Sequence, residues 1–139
     1  MLKEAGYDTT IYARGHRLEV LQNHGLLYKK NNIIKKVDIK VIDHLQDNAI
    51  YDFIFLTVRE NQLYQALKEL KSNKSKTIIT MVNTLDNYEK CESIVGKGKI
   101  LPAFPGAGGS ITNKILDAAL TPKIIQPTTL SEISGKKTK

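Results

Sequence analysis

The chain has no tryptophan, a single cysteine and no apolar run of the roughly 20 residues that a bilayer-spanning helix needs. Each absence closes a class of function. Cys91 alone cannot form an internal disulfide, and with no nearby pair of histidines it does not begin a metal site. It reads as a half-buried structural thiol in a helix. With only six tyrosines and three phenylalanines, the core must rest on Ile, Leu and Val. The opening Met1-Leu2-Lys3-Glu4 carries no signal-peptide core, so the cytoplasm is the expected location and no membrane contact is expected. No G-x-G-x-x-G occurs anywhere, so the glycine-rich turn that holds a pyrophosphate is missing from the sequence.

What is present fits one ordinary globular domain: 139 residues, 41% hydrophobic and 25% charged. The formal charge of +7 raises the question of nucleic acid. The lysines, however, sit at Lys29-Lys30, Lys35-Lys36, Lys68 to Lys76 and Lys136 to Lys139, among Asn and Ser in turns and tails. They neither interleave with stacking aromatics nor line one recognition helix. A solvated surface with some attraction for anionic cofactors is expected, and no nucleic-acid partner.

Along the chain, strand and helix signals alternate. Asp8 to Ala13 is rich in β-branched and aromatic residues and predicts a strand. Gly15 to His24 has Leu18 and Leu21 at helical spacing, with Gly25 placed to cap it. Leu26 to Tyr28 and Ile33 to Ile42 flank the polar turn Lys29 to Asn32 as a small β excursion, with Val37, Ile39 and Val41 on one side. Tyr51 to Val58 is a dense apolar run, expected to be a strand covered on both faces. Arg59 to Leu70 predicts a helix packed through Leu63, Ala66, Leu67 and Leu70. Thr77 to Val82 predicts another buried strand, Asp86 to Val95 a helix with Tyr88, Cys91 and Val95 stacked, and Ile100 to Phe104 a further strand. Beyond Pro105 lie Gly-Ala-Gly-Gly-Ser and short strand-like pieces, including Lys123 to Gln126. This order implies an α/β fold with a mostly parallel, doubly wound, Rossmann-like sheet.

In such a fold the tip of the second strand faces the adenosine ribose. A carboxylate there suits NAD, and an arginine suits the 2′-phosphate of NADP. If Asp8 to Ala13 is that strand, its tip is Arg14, followed by Gly15, His16 and Arg17, and the cofactor is NADP.

The segments Leu2 to Asp8, Ile11 to Gly15, Leu18 to Gly25, Phe53 to Val58 with Arg59 and Gln62, Met81-Val82-Asn83, and Phe104 to Ser110 together resemble the N-terminal NADP-binding domain of the ketopantoate reductase (2-dehydropantoate 2-reductase) family. The similarity covers most of residues 2–135. It implies that Arg14 meets the 2′-phosphate and that Arg59 takes the place of a lysine near the cofactor ribose and substrate. By the same resemblance Gln62 lines the cofactor pocket and Asn83 reaches the nicotinamide ribose and the substrate. The stretch Phe104 to Ser110 is implied to lie beside the nicotinamide. Arg59 departs from the family's lysine, since a planar fork replaces a point charge. Thr84 departs from the glycine common after the asparagine. Blander alternatives stay open: Arg59 as a surface arginine, Asn83 as a helix N-cap, and Gly106 to Gly109 as a bare turn.

The resemblance also implies an NADP-dependent oxidoreductase that reduces a 2-keto acid, 2-dehydropantoate to pantoate in pantothenate biosynthesis. Residues 1–120 are then expected to be a truncated NADP-binding domain, and 121–139 an edge strand and basic tail leading towards a C-terminal domain. Without the first strand and its glycine-rich loop, the sheet is expected to be incomplete and the chain an inactive fragment or truncated reading frame. Partners would be that missing domain, or further copies through open strand edges. No catalytic or metal-ligating residue is assigned. The alternative from another class is a non-catalytic basic α/β interaction module, and a third is a translated remnant with no present role.

Overall fold

A computed structural model of the chain describes residues 2–46, 48–84, 87–120, 125, 127–131 and 133. In chain order the first elements are β1 (Thr10–Tyr12), α1 (Gly15–His24), β2 (Leu26–Lys30), β3 (Ile33–Val37) and β4 (Lys40–Ile42). Next come β5 (Ile54–Leu56), α2 (Leu63–Glu69), β6 (Ile78–Thr80), α3 (Tyr88–Val95) and β7 (Ile100–Phe104). The last three are β8 (Ala107–Thr112), β9 (Ile115–Leu120) and β10 (Thr129–Leu130). The fold is α/β and Rossmann-like, with parallel pairing in β1–β4, β2–β9, β5–β6 and β6–β7. No helix among the described residues is long and apolar enough to cross a membrane.

The chain divides into two compact units. The first joins Met1–His44 to Ala107–Thr121. Here α1 has the bounds its leucine spacing predicts, and Gly25 ends it with φ +72°, its amide donating to the Leu21 carbonyl. Ala13, Leu21 and Leu26 form a small core, against which Leu18, Val37, Ile39 and Val41 pack. The expected arm Ile33 to Ile42 is not one strand. It breaks at Asp38-Ile39, so that β3 pairs antiparallel with β2 while β4 pairs parallel with β1. The Val37, Ile39, Val41 alternation survives the break because it serves the core and not a single ladder.

The second unit comprises Leu45–Gly106 and Pro122–Lys139. Its sheet runs β10-β7-β6-β5, with β5, β6 and β7 parallel and β10 antiparallel to β7. Ile54, Ile78 and Ile100 are in register, as are Leu56, Thr80 and Pro102. Leu56, Ile78 and Ile100 face Leu63, Leu67 and Leu70, the helical set read from the sequence, together with Cys91 and Val95 of α3. Cys91 is fully buried, not half-buried. The expected strand over Tyr51 to Val58 shortens to three residues and is not covered on both faces: Phe53 is 57% and Phe55 44% exposed. An apolar run reports hydrophobicity, and cannot by itself say which of its two faces finds a partner.

The strand-like piece expected at Lys123 to Gln126 and the basic tail Lys136 to Lys139 lie outside the described residues, apart from Ile125 in a turn.

Candidate functional site

In the first unit Arg14 follows β1 and caps α1. Its backbone is extended, with φ −135° and ψ 165°, and its carbonyl accepts the Leu18 amide hydrogen. The Arg14 side chain makes no capping hydrogen bond to this helix start, and no acidic residue occupies its first turn. The positive end of the helix dipole therefore coincides with Arg14, His16 and Arg17, a combination that favours an anion. Within α1, Glu19 Oε2 lies 3.7 Å from His16 Nδ1. The Arg14 guanidinium is itself held: Nε donates to the Tyr12 hydroxyl at 2.7 Å, and its carbon lies 5.2 Å from the centroid of that ring. In extended backbone alternate residues share a face, so Tyr12 and Arg14 meet by spacing alone. The sequence signal for this pairing is the i, i+2 relation of Tyr12 to a strand-tip arginine.

The other three predicted residues belong to the second unit. Arg59 and Asn83 come three residues after the ends of β5 and β6, and Gly106 two after β7. Because these strands are parallel, the three segments leave one and the same edge of the sheet, the carboxyl edge at which open α/β sheets bind ligands. Gln62 is exposed and folds back onto the backbone of its own chain. Its backbone amide donates to the Arg59 carbonyl at 2.9 Å, and its Oε1 accepts the Arg59 backbone amide hydrogen at 3.4 Å, which stabilises the short 3-10 turn Glu60–Gln62 leading into α2. Asn83 is exposed and is not a helix cap. That task falls to Asn87, whose Oδ1 accepts the Glu89 amide hydrogen at 2.9 Å.

The stretch Phe104 to Ser110, in which Gly106 to Gly109 had the alternative of a bare turn, is mostly strand. Phe104 ends β7, the Gly106 amide donates to Thr128 Oγ1 at 3.0 Å, and Ala107 onward forms β8. Gly108 and Gly109 stand opposite Ala119 and Ala118 of β9, small residues facing small residues. A Cβ on Gly109 would meet the Asp117 carbonyl at 2.8 Å, so glycine here permits the close approach of β9.

A model of the family described as ketopantoate reductase PanE/ApbA matches residues 1–113. No curated protein sequence matches the chain. Among solved structures, the chain is similar to a 2-dehydropantoate 2-reductase from Geobacter metallireducens GS-15, with TM-score 0.78 and 14% identity over 99% of this chain and 45% of that one. It is similar to a D-mandelate dehydrogenase solved with NADH and anilino(oxo)acetate, with TM-score 0.70 and 16% identity over 84% and 39%. A PanE/ApbA family ketopantoate reductase from Ralstonia eutropha JMP134 gives TM-score 0.69 and 15% identity over 84% and 40%. At these identities the likeness concerns the fold. The chain spans less than half the length of each of these structures.

Proposed function

Because the chain belongs to the ketopantoate reductase PanE/ApbA family, we propose that it supplies the nicotinamide-coenzyme half of an NADP-dependent 2-keto acid reductase. The carrying observation is Arg14, set between the end of β1 and an α1 start that has no acidic first turn. A phosphate ester at that point meets a guanidinium, a helix dipole and no opposing carboxylate in that turn. The mandelate dehydrogenase to which the chain is similar was solved with NADH, so coenzyme choice is a property to be decided by this chain's own residues. Arg14 favours NADP.

On this proposal Arg14 holds the 2′-phosphate. Arg59 lies near the cofactor ribose and the substrate, Gln62 lines the cofactor pocket, and Asn83 reaches the nicotinamide ribose and the substrate. NADPH, when bound, supplies the hydride, and this chain's residues bind and orient the coenzyme. The substrate class is a small 2-keto acid, 2-dehydropantoate being the family's own, reduced to pantoate for pantothenate biosynthesis in the cytoplasm. The sequence has no glycine-rich phosphate turn, so weak coenzyme binding without turnover is proposed for the chain by itself.

Titration of the full chain with NADPH and NADH tests the proposal. NADPH is expected to bind more tightly, and Arg14→Ala to weaken it about tenfold or more while leaving NADH unchanged, the scale of a lost charge-assisted bond. Equal binding of the two coenzymes overturns it. Absence of nucleotide binding together with strongly salt-dependent binding to an anionic polymer points instead to a basic interaction module.

A further inference from the structure

We infer that Tyr12 is the positioning residue for Arg14, and that coenzyme selectivity depends on the pair and not on the arginine alone. The inference rests on the reading of Arg14 as a 2′-phosphate contact. It concerns a residue to which neither composition nor motif assigned a role.

An exposed arginine at a strand tip loses most of its side-chain conformational entropy when it grips a phosphate. Tyr12 removes part of that cost before the ligand arrives. Its hydroxyl accepts from Arg14 Nε at 2.7 Å, and its ring lies under the guanidinium carbon at 5.2 Å, inside the range of a cation–π contact. Nε is the innermost guanidinium nitrogen, so a bond there restrains the torsions along the side chain as well as the plane of the fork. The backbone of the anchor is paired. Tyr12 lies in β1, whose backbone pairs with β4 through Tyr12 and Ile42, and the Ala13 amide donates to the Ile42 carbonyl at 3.0 Å. Arg14 is thus tethered to a side chain whose own backbone is paired within a sheet. Preorganisation of this kind raises affinity by lowering the ordering cost, with no added contact to the ligand.

The discriminating readout is a ratio of affinities, because a merely structural tyrosine would shift both members equally. The full chain is titrated with adenosine 2′,5′-bisphosphate and with 5′-AMP. The wild type is expected to prefer the bisphosphate, and Arg14→Ala to abolish the preference. Tyr12→Phe, which keeps the ring and loses the acceptor, is expected to lower the ratio about threefold to tenfold with 5′-AMP binding unchanged. A Tyr12→Phe ratio equal to the wild type, or higher because the hydroxyl had competed with phosphate, overturns the inference and leaves the Arg14 reading standing. Equal binding of the two nucleotides by the wild type removes the Arg14 reading and the inference with it. A second measurement needs no variant: the Arg14 Nε–H vector in the unliganded wild type is expected to show NMR order close to that of the backbone, and free reorientation overturns the inference.

Discussion

Tyr28 donates its phenolic hydrogen to the Glu4 carboxylate, tying the short 3-10 turn Lys3–Ala5 to β2. Lys30 Nζ lies 3.8 Å from the other carboxylate oxygen. The bond from Tyr28, reinforced by the charge of Lys30, holds Glu4 down from 4.5 to about 2, and the same bond, with burial, pushes Tyr28 up from 10.0 to about 12.

Stability is therefore expected to fall at both ends of the pH scale. The carboxylate's contribution is complete above pH 4.5 and is lost as pH falls towards about 2. The phenol's contribution is complete below pH 10.0 and is lost as pH rises through about 12. Urea midpoints measured across this range should show both limbs, and Tyr28→Phe should flatten both. A Tyr28→Phe profile parallel to the wild type at both ends would contradict the linkage.

Neighbouring glycines of β8 are expected to respond oppositely to alanine. At Gly108 an added Cβ has nothing within 4 Å, so Gly108→Ala should be neutral or stabilise by about 0.5–1 kcal/mol through the restricted unfolded chain. At Gly109 it meets the Asp117 carbonyl at 2.8 Å and Ala118 at 3.0 Å, so Gly109→Ala should cost about 1–3 kcal/mol as backbone is displaced. Denaturant midpoints of the two variants check the sign of each.

Asn73 is expected to be the most sensitive polar position of the second unit. It is 5% exposed, its Nδ2 donates to the Ala49 carbonyl, and its Oδ1 accepts the Ser75 amide hydrogen, both at 2.9 Å. Its own carbonyl accepts from Lys99 Nζ at 3.1 Å. Asn73→Ala orphans the first two partners and should cost about 1–3 kcal/mol. Asn73→Asp keeps the acceptor and loses the donor, and should fall between alanine and wild type in chemical denaturation.

The helices were legible because their signals are local. Leu18 and Leu21 with Gly25 behind them define α1, and Leu63, Leu67 and Leu70 define the buried face of α2. The β2–β3 hairpin was legible through its polar turn, where Asn31 and Asn32 both take positive φ, a conformation asparagine tolerates. The β8–β9 hairpin was not. Its turn is Asn113-Lys114 at φ +50° and +70°, and lysine is no turn signal. Ala107, Gly108 and Gly109 carry no hydrophobic period from which a strand could be read. At the candidate site the residue types and their strand-end positions were visible in the sequence. The turning of Gln62 onto the Arg59 backbone and the capping of α3 by Asn87 were not, because several polar residues near each helix start could have served.

The helices, the faces they bury and the arginine at the end of β1 were determined by the sequence itself, since periodicity and capping act over a few residues. Tertiary structure decided which strands pair. It split Ile33 to Ile42 between two partners, turned a glycine-rich stretch into β8, and left Phe53 and Phe55 exposed. The reason is that a strand's backbone offers the same donors and acceptors whatever its side chains. Its partner is therefore chosen by packing and close approach between residues far apart in the chain, as where Gly109 meets Ala118.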